Sequence, residues 1–189
     1  VHLGPIHRMV PVIAGGAAIS ESWNCVDSAS LTCDLTWTEF QLSDWEIFSN
    51  RARLNVANSG ETRAARADSD LASDDHFCQV TLVSLAGQTN NQGGPLCRKD
   101  GTSTVTYYVF RALISQSAVV NDHRLTKWVS GTATDLGNDT ADVVNGTVLK
   151  VQADGSSISG YRDGNISVGP ITDTAIVDNL RCGIFGFAS

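Results

Sequence analysis

Asp135, Asn138, Asp139 and Asp142 put four oxygen-bearing side chains within eight residues. A hard cation prefers such a set, which makes calcium the most defensible ligand, although the segment lacks the pattern of an EF-hand and Asp/Asn-rich turns form more often without a metal. Calcium is the one cofactor these residues imply. Paired acids also occur at Asp68-Ser69-Asp70 and at Asp74-Asp75. Hydrolysis of a glycosidic bond needs two carboxylates flanking it, but these pairs lie among Ser and Ala just before an apolar run. They read as a solvated loop. No G-x-S-x-G turn occurs, and Asn121-Asp122-His123-Arg124 reads as a polar loop ahead of a strand. Stacking on a sugar calls for aromatic rings beside polar loops, and Trp128, Tyr107, Tyr108 and Tyr161 are the candidates.

Five cysteines add a second chemistry. Cys25 and Cys33 lie close together in a polar segment and could form a local bridge. Cys78 and Cys182 each sit in an apolar run, where they either pair across sheet neighbours or remain buried thiols. Cys97 follows Gly93-Gly94-Pro95 without an obvious partner. The odd total makes it free or intermolecular. No CxxC occurs and the histidines stand apart from the cysteines, which disfavours zinc.

These residues must be held by something, and the composition points to strands. Seventeen Gly, with abundant Ser, Thr, Asn and Asp, suit short strands and tight turns among the 189 residues. A net charge of -7 and a pI near 4.9 exclude a nucleic-acid binder, because phosphate contact needs clustered Lys and Arg. No run approaches the roughly 20 apolar residues of a membrane helix, so no membrane insertion is expected.

From Leu35 onward, strand-sized runs alternate with turn signals. They include Leu35–Phe40, Trp45–Asn50, Arg53–Ala57, Phe77–Leu85 with period-two alternation, and Thr104–Leu113, the strongest β-former. Arg124–Ser130, Thr147–Gln152 and Arg181–Phe187 follow, and Ser156–Arg162 joins Ile166–Val168 through an Asp163-Gly164 turn. Glu61–Ala72 is the best helical candidate, yet a strand followed by an exposed loop fits it better. Gly87–Pro95 reads as a polar, Gly-rich loop. About ten to twelve strands with no helices between them predict an all-β, antiparallel two-sheet sandwich or jelly roll.

Val1–Ser20 differs from the rest. Pro5 and Pro11 forbid a continuous helix, and the apolar residues favour an extended form. Gly15, Gly16 and Pro11 make it a poor secretion signal, so removal is not expected. An apolar extended segment cannot bury itself alone. It reads as an assembly arm docking on a neighbouring subunit through Val1, Leu3, Ile6, Met9, Val10, Val12 and Ile13, in preference to a strand of its own domain.

Trp37-Thr38-Glu39 followed by Trp45–Asn50, then Leu149–Gly155, Ile158–Gly164, Ile171–Thr174 and Cys182–Phe187, resembles the concanavalin A-like (laminin-G or glucanase-type) β-sandwich. Domains of that kind occur in phage and bacterial surface proteins. The resemblance covers Leu35 to Phe187 and implies a jelly roll over residues 35–189, with 1–34 as an N-terminal arm and polar linker outside the family pattern. Catalytic members carry acids as E-x-D-x-E on one strand, and no such segment occurs here. A non-enzymatic role is therefore expected. The first reading is a virus-particle structural protein, a phage decoration or head/tail accessory protein at the virion or extracellular surface. Its partners would be other copies of itself and other virion proteins. The alternative is a lectin-like carbohydrate-binding module for adhesion, with a glycan as partner.

Overall fold

The computed structural model describes residues 6–9, 12–13, 21–55, 60–82, 91–114 and 122–188. The strands among them are β1 (Ile6–Met9), β2 (Val12–Ile13), β3 (Trp37–Gln41), β4 (Trp45–Ile47), β5 (Ala52–Leu54), β6 (Glu61–Ala67), β7 (His76–Leu82) and β8 (Asn91–Lys99). Then come β9 (Tyr107–Ile114), β10 (Asp122–Val129), β11 (Thr132–Asp139), β12 (Val148–Asp154), β13 (Ser157–Arg162), β14 (Asn165–Thr172) and β15 (Arg181–Ala188). They form two antiparallel sheets. The first runs β14-β13-β12-β7-β1-β5-β4, with β2 also on β7, and the second runs β11-β10-β9-β8-β15-β6-β3. This is the all-β jelly-roll sandwich expected from the turn-punctuated strands.

Period-two alternation builds the interior. Along β7, His76, Cys78, Val80 and Leu82 are buried while Phe77, Gln79 and Thr81 are half-buried. On β12, Leu149, Val151 and Ala153 do the same. Opposite them the second sheet contributes Cys97, Tyr108, Phe110, Ala112, Leu125, Cys182 and Ile184 to one core. The Asp163-Gly164 hairpin forms as expected, with both residues at positive φ (49° and 83°), as a two-residue turn between twisted strands requires.

Residues 6–9 and 12–13 of the expected arm pair within the chain's own first sheet. Met9 pairs with Val80, Arg8 with Thr81, and Ile6 with both Leu82 and Ala52, while Val12 and Ile13 pair with Phe77 and His76. Ile6, Met9, Val12 and Ile13 thus belong to strands of their own sheet. The free edge of β7 supplies the backbone partners that an extended segment must find somewhere. Val1, Leu3 and Val10 lie outside the described residues.

A boundary between 34 and 35 does not separate two bodies either. Trp23 and Leu31 lie in the main core. The buried Glu21 carboxylate ties the segment to β3, accepting from the N–H groups of Trp23 (3.1 Å), Asp34 (3.5 Å) and Leu35 (3.0 Å) and from Trp37 Nε1–H (3.4 Å). A buried carboxylate needs such donors, and only the chain on both sides of residue 34 provides them.

Cys25 and Cys33 are bonded, with Cα atoms 5.9 Å apart. Cys78 and Cys182 remain thiols, which corrects the pairing alternative. Each thiol instead donates to a backbone carbonyl of the facing sheet, Cys78 to Gly183 at 3.4 Å and Cys182 to Phe77 at 3.5 Å. Cys97 is a free thiol with no exposed surface, so it is not available to a neighbouring molecule. Burial pushes its pKa up, keeping it protonated and inert.

Candidate functional site

The side chains of Tyr108, Phe110 and Ala112 enter the core, so alternation turns Tyr107, Val109 and Arg111 to the outward face of the second sheet. β10 sets Trp128 opposite Tyr107, Thr126 opposite Val109 and Arg124 opposite Arg111. β11 adds Asp135, across from Thr126. A sheet face turned to solvent is ordinarily polar. This one carries a second apolar cluster of buried Ala64, Leu96, Tyr107, Val109 and Phe185, with Phe40, Val105, Trp128 and Phe187 partly buried around it.

The aromatic rings are fixed relative to one another. Tyr107 meets Phe40 edge-on at 5.7 Å and stacks near Trp128 at 6.0 Å. Its hydroxyl donates to Gln41 Oε1 at 2.6 Å, and Gln41 Nε2 donates to Thr62 Oγ1 at 3.2 Å. Burial pushes the Tyr107 phenol up, so it remains a donor. Lys99 Nζ lies 4.7 Å from the Phe40 ring centroid. Trp128 Nε1 has no hydrogen-bond partner among the described residues.

A polar group flanks the aromatics. Thr126 Oγ1 donates to Asp135 Oδ1 at 2.7 Å, Arg111 Nη2 reaches the same oxygen at 3.3 Å, and Arg124 Nη1 reaches Oδ2 at 3.1 Å. Arg111 Nε also donates to Thr126 Oγ1 at 3.3 Å, its Nη1 donates to Gln92 Oε1, and its guanidinium lies 5.9 Å from the Phe185 ring. Partial burial alone would raise the Asp135 carboxyl, but the bonds from Thr126, Arg111 and Arg124 outweigh it and hold it below the usual carboxylate range. Aromatic planes beside oriented donors and acceptors can stack on the apolar face of a sugar ring and bond its hydroxyls.

Asp135 is thus bonded within this face. Residues 132–139, expected as part of a cation loop, form the edge strand β11. Asp139 accepts from Ser167 Oγ at 2.7 Å and Ala141 N–H at 3.2 Å, Asn138 pairs with Arg124 in the ladder, and the Asp142 carbonyl accepts from Arg162 at 2.8 Å. Glu21, Cys33 and Asp34 do lie close enough together to hold a metal ion. Cys33, however, is in the disulfide, and four N–H groups already occupy Glu21.

The paired acids are structural. Asp68 accepts from Thr38 at 2.9 Å, Asp70 accepts from Arg181, and Asp74 and Asp75 pair with buried Arg98. Of the aromatics chosen from the sequence, Tyr107 and Trp128 meet on the outward face. Tyr108 points inward, donating to Asp173 at 2.6 Å. Tyr161 belongs to the other sheet, beneath Lys150 at 3.6 Å. Phe40, Phe185, Arg111 and Gln92 were not singled out in the sequence. The unbroken apolar run Tyr107–Phe110 was the available signal, since four such residues in one strand imply that both of its faces are covered.

No family model and no curated protein matches the chain. Among solved structures it is similar to the carbohydrate binding module CBM66 from Bacillus subtilis, with a TM-score of 0.61 and 15% identity over 82% of this chain and 90% of that one. At that identity the likeness is one of fold.

Proposed function

We propose that this chain is a non-catalytic carbohydrate-binding module that seats a glycan on the outward face of its second sheet. One observation carries the reading: the half-buried rings of Phe40 and Trp128, packed around the fully buried Tyr107, are flanked by the oriented polar group of Arg111, Thr126 and Asp135. The sandwich fold, shared with a solved carbohydrate binding module, supports it. A catalytic role is not part of the proposal. Asp135 is committed to three donors, and among the described residues no second carboxylate bonds into its cluster. The Cys25–Cys33 bridge supports an oxidising, extracellular or surface location. The particle-assembly reading loses its main motive, because Ile6–Met9 and Val12–Ile13 pair within the chain's own sheet.

The test is a glycan array probed with the whole chain and with Trp128→Ala and Tyr161→Ala, with and without calcium. Competable binding that Trp128→Ala abolishes, Tyr161→Ala spares and calcium leaves unchanged is the expected result. Binding that survives Trp128→Ala in a folded protein would overturn the assignment of the face.

A further inference from the structure

The outward face carries a charge arrangement that neither its folding nor neutral-sugar binding requires. Arg111 and Arg124 stand directly opposite each other on adjacent strands, both turned outward. Like charges in that relation repel, and one Arg–Asp pair would serve structure equally well. Here Asp135 bridges both guanidiniums, through Oδ1 to Arg111 and Oδ2 to Arg124. Arg111 is further pinned by Gln92 and Thr126 above the Phe185 ring. Its orientation is therefore set before any ligand arrives. Arg124, with 37% of its side chain exposed, leaves the pair open to solvent. Two planar guanidiniums from neighbouring strands match the geometry of an oxyanion. Trp128, four residues along β10 from Arg124 and half-buried, supplies an adjoining ring, backed by the buried Tyr107 four residues from Arg111 on β9.

We propose that Arg111 and Arg124 form an anion subsite that takes the carboxylate or sulfate ester of an acidic sugar. The proposal rests on the carbohydrate-binding reading and narrows its ligand class. Asp135 acts as the internal placeholder: it holds the two cations together when the subsite is empty and competes with the ligand anion for them. Because the chain is acidic overall, with a net charge of -7, long-range attraction cannot replace this local pair. Short-range charge pairing at a partly exposed site also makes the affinity fall with rising salt.

The experiment is titration calorimetry of the whole chain with three oligosaccharide sets: neutral, uronate-containing and sulfated. Arg124→Gln and Asp135→Asn are compared with the unaltered chain, and melting temperature serves as the check on folding. Acidic sugars are expected to bind, Arg124→Gln to weaken them about ten- to hundredfold, and Asp135→Asn to tighten them. The uronate and sulfated sets separate the two sources of anion, and inorganic sulfate as competitor shows whether the anion alone suffices. Trp128-dependent binding of neutral sugars only would overturn the anion subsite while leaving the carbohydrate reading intact. Weaker acidic-sugar binding by a folded Asp135→Asn would also overturn it. Binding of none of the three sets removes both proposals.

Discussion

Replacing Glu21 should reveal how strongly residues 21–35 are fastened to the sandwich. The carboxylate is fully buried and accepts from four N–H donors, of which the Trp23 amide and the Trp37 indole are buried and the Asp34 and Leu35 amides partly so. In Glu21→Ala the two buried donors are orphaned at about 1–3 kcal/mol each, whereas the other two recover water. The expected loss is about 3–5 kcal/mol, in the range for deleting one partner of a buried charged network. For a domain of this size that lowers Tm by about 6–20 °C. Glu21→Gln keeps the shape but turns an amide NH2 toward two donors, and should lose about 2–3 kcal/mol. Urea unfolding followed by tryptophan fluorescence suits the test, because the Trp23 and Trp37 ring centroids lie 5.0 Å apart beside the substituted group. If both variants unfold within about 1 kcal/mol of the parent, the clamp does not hold this segment.

Two further predictions concern the interior. Burial holds the His76 imidazole below its ordinary value of 6.5; its Nε2 accepts from the Arg98 N–H at 3.2 Å, and Nδ1 sits 3.0 Å from the Ser73 carbonyl. The folded chain thus binds fewer protons than the unfolded one below that pH. His76 should leave stability unchanged above about pH 6.5 and erode it as pH falls further, an acid slope that His76→Gln removes; identical slopes in the two proteins would contradict this. A Cβ on Gly160 would lie 2.4 Å from Phe110 Cδ2, so Gly160→Ala should destabilise by about 1–3 kcal/mol. Adding Phe110→Leu should then cost less than it does alone, and strict additivity in a double-mutant cycle would refute the clash.

The sandwich was legible in the sequence because β7, β12 and the Asp163-Gly164 hairpin follow period-two alternation and turn chemistry directly. Glu61–Ala67 also forms the expected strand, not a helix. Other features depended on tertiary approach. Gln92–Gly94 looked like a polar loop, yet it lies in β8, because Gly94 lets the strand pass where a Cβ would come within 2.1 Å of the Phe110 carbonyl oxygen. Residues 132–139 looked like a cation loop because their acids are close in sequence. The Ser130-Gly131 turn, with both φ values positive, makes them the return strand of a hairpin instead. The candidate face was hidden for a related reason. Its members come from seven strands, β3, β6, β8, β9, β10, β11 and β15, and only the sheet order brings Phe40 to Tyr107 and Phe185 to Arg111.

The most direct test of the central claim follows the four tryptophan indole N–H signals by NMR during titration with a glycan that binds. Trp23, Trp45 and Trp128 have buried indole nitrogens and Trp37 donates to Glu21, but of the four Trp128 is the one on the proposed binding face, its ring half-buried there. Saturable movement of the Trp128 signal, with the other three still, is the predicted result. Saturable binding that leaves Trp128 unmoved would contradict the account.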